Sequence, residues 1–273
     1  MPEKPEVITV CNTLKNKLIG RKIIDTNIYW DNIIVYPMSK EFSLKIMNQK
    51  INDIITRGKF LVFLLDQDNL LVHLRMEGKF FFRKKGDSLN KHEHVEFILD
   101  DNTSFRFHDV RKFGKMYLLP KEKWDKVKPV SELGLEYDDK LLTKEYLYNK
   151  IHNKKLAIKT VLLDQSIITG IGNIYDDEIL FTSGINPLRR ACDVTIDECD
   201  KIIKNLRKVF KKAIELGGTT IRSFTSSEGV HGLFQNELLV HSREGEKCPK
   251  CGNKIIKIRV NGRGTYYCPN CQK

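Results

Sequence analysis

The sequence predicts an α+β protein of more than one domain, and three observations carry that prediction. Short apolar or alternating runs crowd residues 22–119, helical periodicity dominates 146–216, and four cysteines in two Cys-Pro-x-Cys turns close the chain. A chain of 273 residues has room for two ordinary domains and a small module. Its apolar fraction of 41% is enough to build buried cores.

Residues 5–19 read as a leading helix. Pro5 suits its first turn, Val7, Val10, Cys11, Leu14 and Leu18 recur at helical spacing, and Gly20 sits just past its end. Strand-like runs follow at 60–65, 70–74, 79–82, 95–99, 104–107 and 115–119, with turns rich in Asp and Asn at 66–69 and 100–102. Such a series suggests a β-sandwich or a barrel-like domain. Residues 120–145, with Pro120, Pro129 and Gly134, read as an interdomain linker. Thr195-Ile-Asp-Glu198 has the capping-box form before Ile202, Ile203, Leu206, Phe210 and Ala213, and Gly217-Gly218 ends that helix. The expected domains are 1–130, 131–237 and 238–273.

Cys248, Cys251, Cys268 and Cys271 have the spacing of a four-thiolate zinc site. With all four positions taken by sulfur, no place remains for a reacting water, so one structural Zn2+ is expected. Residues 254–260 and 265–267 are strand-like around Asn261-Gly262, a hairpin that carries Arg263 at its tip. Cys11, Cys192 and Cys199 show no pattern and suit packed thiols in a reducing cytoplasm. The N-terminus lacks the apolar stretch of a signal peptide, and no run is long enough to span a membrane.

Net charge is +12, and residues 241–273 contribute half of it, eight Lys or Arg against two Glu. A polyanion partner follows, with nucleic acid ahead of a membrane surface. The basic face of the 195–216 helix reads as merely solvated. Thr169-Gly-Ile-Gly-Asn173 before a helical run offers backbone N–H groups to a phosphate. No βαβ unit precedes it, so a nucleotide cofactor is not expected.

Met1 stands before a small residue, Pro2, and its removal would expose a secondary amine beside Glu3. An amine attacks a sugar carbon only when unprotonated; a terminal amine titrates near ~8 and a lysine near ~10.4, which favours the terminus at neutral pH. Condensation of a secondary amine gives a cationic iminium, an electron sink for breaking the neighbouring C–O bond. Glu3 could donate or shuttle the proton.

Pro2-Glu3-x-Pro5-Glu6, Arg57-Gly-Lys59-Phe, His73-Leu-Arg-Met76-Glu-Gly-Lys79, Lys91-His92-x-His94, Asp109-Val-Arg111-Lys-Phe113-Gly, Gly170-Ile-Gly-Asn173-Ile-Tyr175 and Gly262-Arg263-Gly-Thr-Tyr-Tyr-Cys268 occur in order along the chain. Together they resemble the bacterial formamidopyrimidine-DNA glycosylase family. The resemblance implies an N-terminal β-sandwich, a helical domain with a helix–two-turn–helix motif, and a zinc finger. It implies an enzyme that removes oxidised purines from damaged double-stranded DNA, acts as a monomer, and nicks the strand by β,δ-elimination. In that scheme Pro2 is the nucleophile, Glu3 protonates the opening sugar, Lys59 assists the first elimination and Arg263 the second. His92, Arg111 and Asn173 match DNA-binding positions, and Lys159 is expected to contact a further phosphate. Met76, Arg111 and Phe113 resemble the trio that fills the void left by the extruded base. Read without the family, Met76 and Phe113 suit a β-domain core, and Lys59 and Arg111 suit surface charges. In the family a loop corresponding to 217–235 closes over the base; the glycines and hydroxyls of this stretch suit such a lid and a plain interdomain loop equally. Lys4 departs from the family pattern and is expected to shift the amine's pKa or to touch DNA. The endonuclease VIII type and a non-catalytic zinc-finger DNA-binding module are the competing readings.

Overall fold

The computed structural model describes residues 1–219 and 232–273. They divide into two compact units. The first comprises Met1–Ser131 with, among the described residues beyond it, Thr219 and Gly232; the second comprises Glu132–Gly218 and Leu233–Lys273.

The first unit opens with α1 (Lys4–Leu18), whose apolar stripe Val7, Val10, Cys11, Leu14 and Leu18 is buried. There follow β1 (Ile23–Ile28), β2 (Ile34–Tyr36), α2 (Ser39–Ile46), β3 (Asp53–Arg57), β4 (Phe60–Leu64), β5 (Asp68–His73), β6 (Lys79–Lys84), β7 (Glu93–Leu99), β8 (Thr103–His108) and β9 (Lys115–Pro120). They form a four-stranded sheet, β1-β7-β8-β6, and a five-stranded sheet, β2-β9-β5-β4-β3. Phe63 of one sheet meets Phe80 and Phe105 of the other at ring-centroid distances of 5.9 and 6.2 Å. One continuous core of both sheets, α1 and α2 makes the unit a sandwich. The sequence reading missed α2 inside a region it took for strands. Its eight residues bury only Phe42 and Ile46, too few for a periodic signal.

The second unit holds α3 (Lys144–Ile151), α4 (Ile158–Leu162), α5 (Asn173–Ser183), α6 (Ile196–Glu215), β10 (Ile256–Val260) and β11 (Arg263–Tyr267). The capping box at Thr195 and Glu198 is present, and Ile202, Ile203, Leu206, Phe210 and Ala213 are buried as the pattern requires. Between α4 and α5 the chain makes two turns spanned by Gln165. Its Nε2 donates to the Leu163 and Ile171 carbonyls, and its Oε1 accepts from Gly170 N at 3.0 Å.

Two features differ from the expected organisation. Residues 132–135 are not a free linker: Leu135 bridges to Ile168, and a Cβ at Gly134 would lie 2.3 Å from the Ile167 carbonyl oxygen. The finger is not a separate body either. Phe181 of α5 shares a core with Val240, Cys248, Ile255 and Cys268. The C-terminus is tied back through Gln272 Nε2 to the Ile185 carbonyl at 2.9 Å.

Candidate active site and nucleic-acid interface

At the amino terminus, Glu3 is the extended N-cap residue of α1 and forms a capping box with Glu6, whose carboxylate accepts from Glu3 N at 2.9 Å. The other Glu6 oxygen accepts from Thr219 N at 2.8 Å and from its hydroxyl at 3.1 Å. Pro2 is buried, and Glu3 and Lys59 are only 3% and 7% exposed. Burial pushes the terminal amine, carried by Met1, below its ordinary value; Lys59 adds to this, while the charges of Glu3, Glu6 and Glu77 oppose it. The β3–β4 hairpin brings Lys59 there through a two-residue turn, Gly58-Lys59, in which Gly58 has φ 54°. The terminal amine thus feels the charges of the buried Glu3 and Lys59 in a partly desolvated setting. Glu6 and Glu77 act on it too and were not singled out from the sequence. Glu6 stands at capping-box spacing from Glu3, a usable signal; Glu77 was visible only as part of the Met76-Glu-Gly-Lys79 motif.

Lys4 does not take the role expected of it. It is buried, and its Nζ donates to the Thr56 hydroxyl at 2.9 Å, pinning α1 to β3 rather than reaching DNA.

Two glycines bring the Met76 turn and the Arg111–Phe113 loop against one ring. A Cβ at Gly78 would lie 2.7 Å from Phe107 Cζ, and one at Gly114 would lie 2.5 Å from the same atom. The ring is fully buried and has no room to give way to a side chain at either position. Asp109 holds the second loop: its carboxylate accepts from the backbone N–H groups of Arg111, Phe113 and Gly114 at 3.0, 2.8 and 2.7 Å. Lys112 takes the left-handed φ of 55° that this tight loop demands. Arg111 is exposed, with its guanidinium 4.7 Å over the Phe113 ring, and Phe113 is itself 46% exposed. A ring that open, under a stacked cation, is not part of the β-domain core. Met76 is half-buried.

His92 is half-buried at the entry to β7. His92 and His94 are two residues apart, the spacing that puts side chains on one face of an extended chain, and their rings lie 6.5 Å apart. His108 lies 5.6 Å from His92. His94 donates from Nε2 to the Asp109 carbonyl at 2.9 Å, and burial pushes both His94 and His108 down. Arg106 organises the loop before them. Its guanidinium donates to Glu93 at 2.9 Å and to the carbonyls of Ser88 and Asp87 at 3.1 and 2.8 Å.

In the second unit, Asn173 is the first residue of α5, behind Gly172, which has no side chain to cap the helix. Its Nδ2 donates to the Gly264 carbonyl at 2.9 Å. Arg263 is exposed at the hairpin tip, where Asn261 and Gly262 have φ of 44° and 75°, the two positive values a two-residue turn needs. Asn173 and Arg263 are therefore neighbours through one strand. Lys159 is a correction. It is 0% exposed and its ammonium is bonded to Asp177, so it cannot reach a phosphate.

The four cysteine sulfurs lie within 4.8 Å of one another, with Cys248–Cys271 at 3.8 Å and Cys251–Cys268 at 3.5 Å. Zn–S bonds of about 2.3 Å in a tetrahedron imply edges of about 3.8 Å. The geometry fits zinc and is far too open for disulfides. These four thiolates hold one structural zinc. The loop expected to cover the base falls mostly on 220–231, outside the described residues. No helix among the described residues is long and apolar enough to cross a membrane.

Three family models match in order. They are the formamidopyrimidine-DNA glycosylase N-terminal domain over residues 1–116, its H2TH domain over 133–225, and the zinc finger found in FPG and IleRS over 245–273. A formamidopyrimidine-DNA glycosylase of Oceanobacillus iheyensis is 42% identical over 273 residues, covering 100% of this chain and 98% of the relative. A Lactococcus lactis FPG mutant, solved with a Fapy-dG containing DNA, superposes with TM-score 0.93 at 32% identity and complete coverage of both chains. A MutM solved with carbocyclic 8-oxo-G containing DNA superposes with TM-score 0.92 at 33% identity, again over the whole of both chains. With every motif in place and the match running end to end, the chain belongs to the formamidopyrimidine-DNA glycosylase family, DNA glycosylases of base-excision repair with abasic-site lyase activity.

Proposed function

We propose that this enzyme excises oxidised purines, 8-oxoguanine and formamidopyrimidines, from damaged duplex DNA and then nicks the strand through a Schiff base on Pro2. The observation that carries the reading is the burial of Pro2, Glu3 and Lys59 at the amino terminus, where burial also lowers the pKa of the amine still carried by Met1. Relatives solved with Fapy-dG and 8-oxo-G DNA support the lesion class.

Once Met1 is removed, the neutral Pro2 nitrogen attacks the sugar C1′ and the base leaves. Glu3 protonates the ring oxygen, the ring opens, and the iminium forms. That cation draws electrons from C2′ as a proton is lost there, and the C3′–O3′ bond breaks with the 3′ phosphate as leaving group. Lys59 serves as the acid of this step. Arg263 assists the second elimination, which breaks the C5′–O5′ bond and leaves a one-nucleotide gap. Met76, Arg111 and Phe113 fill the vacated stack, with Arg111 bonding the orphaned partner base. His92 and Asn173 contact phosphates. Zinc supplies no chemistry here; its thiolates hold the hairpin. Every assigned group comes from one chain, so a monomer suffices, and the bacterial cytoplasm is where such DNA is met.

Borohydride reduction on 8-oxoguanine duplexes tests this. Processed enzyme should crosslink through residue 2, found by peptide mapping. A Pro2→Glu variant, which keeps Met1, should not. No crosslink from processed enzyme would favour a non-catalytic DNA-binding protein. Crosslinking on thymine glycol but not on 8-oxoguanine would favour the endonuclease VIII reading.

A further inference from the structure

Three consecutive acidic residues, Asp176-Asp177-Glu178, are buried on α5 in a protein of net charge +12. Buried carboxylates are costly unless fully partnered, so their partners are informative. Glu178 accepts from three successive backbone N–H groups, those of Leu239, Val240 and His241, at 2.9, 3.0 and 2.9 Å. Asp177 reaches further. One oxygen takes the Lys159 ammonium from α4. The other accepts from His241 Nδ1 at 2.7 Å and from Tyr266 N at 3.3 Å. The His241 ring also packs on the Tyr266 ring, with centroids 4.9 Å apart.

Tyr266 is in β11, two residues beyond Gly264, whose carbonyl accepts from Asn173. Asn173 and Asp177 are four residues apart on α5, so they share one helix face. Four helical residues rise about 6 Å. Two strand residues rise about 6.8 Å. The helix face therefore matches alternate backbone groups of a strand. Among the described residues the hairpin is two-stranded, so β11 has an edge that β10 does not use, and α5 takes it.

We propose that Asn173 and Asp177 form a clasp on the free edge of β11 that sets the position of Arg263 for strand cleavage, with Asp177 a positioning residue for that step. Arg263 directly precedes Gly264, the first clasped residue, and opens β11. Zinc closes the base of the hairpin through Cys268 and Cys271; the clasp holds the strand between metal and tip. Lys159 then occupies the Asp177 oxygen that the hairpin does not use. The clasp rests on the reading of Arg263 given under Proposed function.

Asp177→Asn would strand a buried ammonium and endanger the fold. The double variant Lys159→Met/Asp177→Leu removes both charges and is the better probe, with His241→Phe as a milder companion. Zinc content, base release, the second elimination and Tyr266 amide exchange are measured for each, beside Arg263→Ala. We expect full zinc, base release within about twofold of wild type, and a second elimination slowed about tenfold or more in the double variant. The loss should not add to that of Arg263→Ala, because the clasp acts through that arginine. Tyr266 amide exchange should accelerate by at least about tenfold. A zinc-loaded double variant with wild-type second elimination overturns the proposal, as does a loss that adds fully to that of Arg263→Ala. Wild-type elimination by Arg263→Ala would instead overturn the role of Arg263. The clasp would then stand or fall on the Tyr266 amide, and unchanged protection would overturn it.

Discussion

The amine pocket and the hairpin tip place their charges in opposite surroundings. Glu3 and Lys59 are buried near the chain terminus, and burial lowers the pKa of the amine that Met1 carries. Arg263 stands exposed on a turn, supported from behind by four thiolates and the side chains of α5. The difference follows from the chemistry. A nucleophilic amine needs desolvation to stay neutral, so it sits where a β-sandwich core can shield it. A guanidinium keeps its charge at any physiological pH, and the role proposed for Arg263 requires access to phosphate, which an exposed turn on a rigid hairpin gives.

The contrast breaks most sharply at the metal. A structural zinc contributes on the order of 10–16 kcal/mol of apparent folding energy to such a module. Chelation should therefore abolish strand cleavage and unfold the hairpin, while thermal unfolding of the Met1–Ser131 unit stays unchanged. Coincident loss of both units on chelation would mean that the pocket also depends on the finger.

A smaller effect is expected from acid, and it falls on the first unit. Burial pushes His73 down to about 3, and the charges of Arg75 and Lys59 add to this. The folded state keeps His73 neutral where the unfolded chain binds a proton at about 6.5, so stability is lost as pH falls below that value towards the folded one. Between pH 6.5 and 4.5 this amounts to about 2–3 kcal/mol, and His94 and His108, also pushed down by burial, act in the same direction. Denaturant melts of the first unit should show this slope and His73→Asn should flatten it; an unchanged slope in the variant would remove His73 from the account.

The smallest expected effect concerns the wedge. A methyl at Gly114 would meet Phe107 at 2.5 Å, with Gly78 blocking retreat on the other side. Gly114→Ala should destabilise by about 1–3 kcal/mol. It should weaken binding to lesion DNA more than binding to undamaged DNA, since Arg111 and Phe113 shift. Equal losses on both DNAs would show that the loop does not read the lesion site.

Much of this was legible in the sequence because the signals were local. The Cys-Pro-x-Cys turns, the Asn261-Gly262 hairpin and the Thr195–Glu198 box each lie within a few residues. What escaped depended on distant partners. Lys159 looked like one more surface cation after Lys154 and Lys155, but its partner Asp177 lies eighteen residues on. Its place inside the apolar run Ile158–Leu162 was the available hint. The clasp on β11 joins residues 173 and 177 to 264 and 266, and no spacing along the chain announces it.

The central claim, that burial at the amino terminus prepares the amine as a nucleophile, is open to one direct measurement. The Pro2 nitrogen of processed, 15N-proline-labelled enzyme can be titrated by NMR in the absence of DNA. The account predicts a midpoint below the ordinary terminal value of ~8, moving upward when Lys59 is replaced by Met, because a repelling charge is removed. A midpoint at or above that value, insensitive to Lys59, would contradict it.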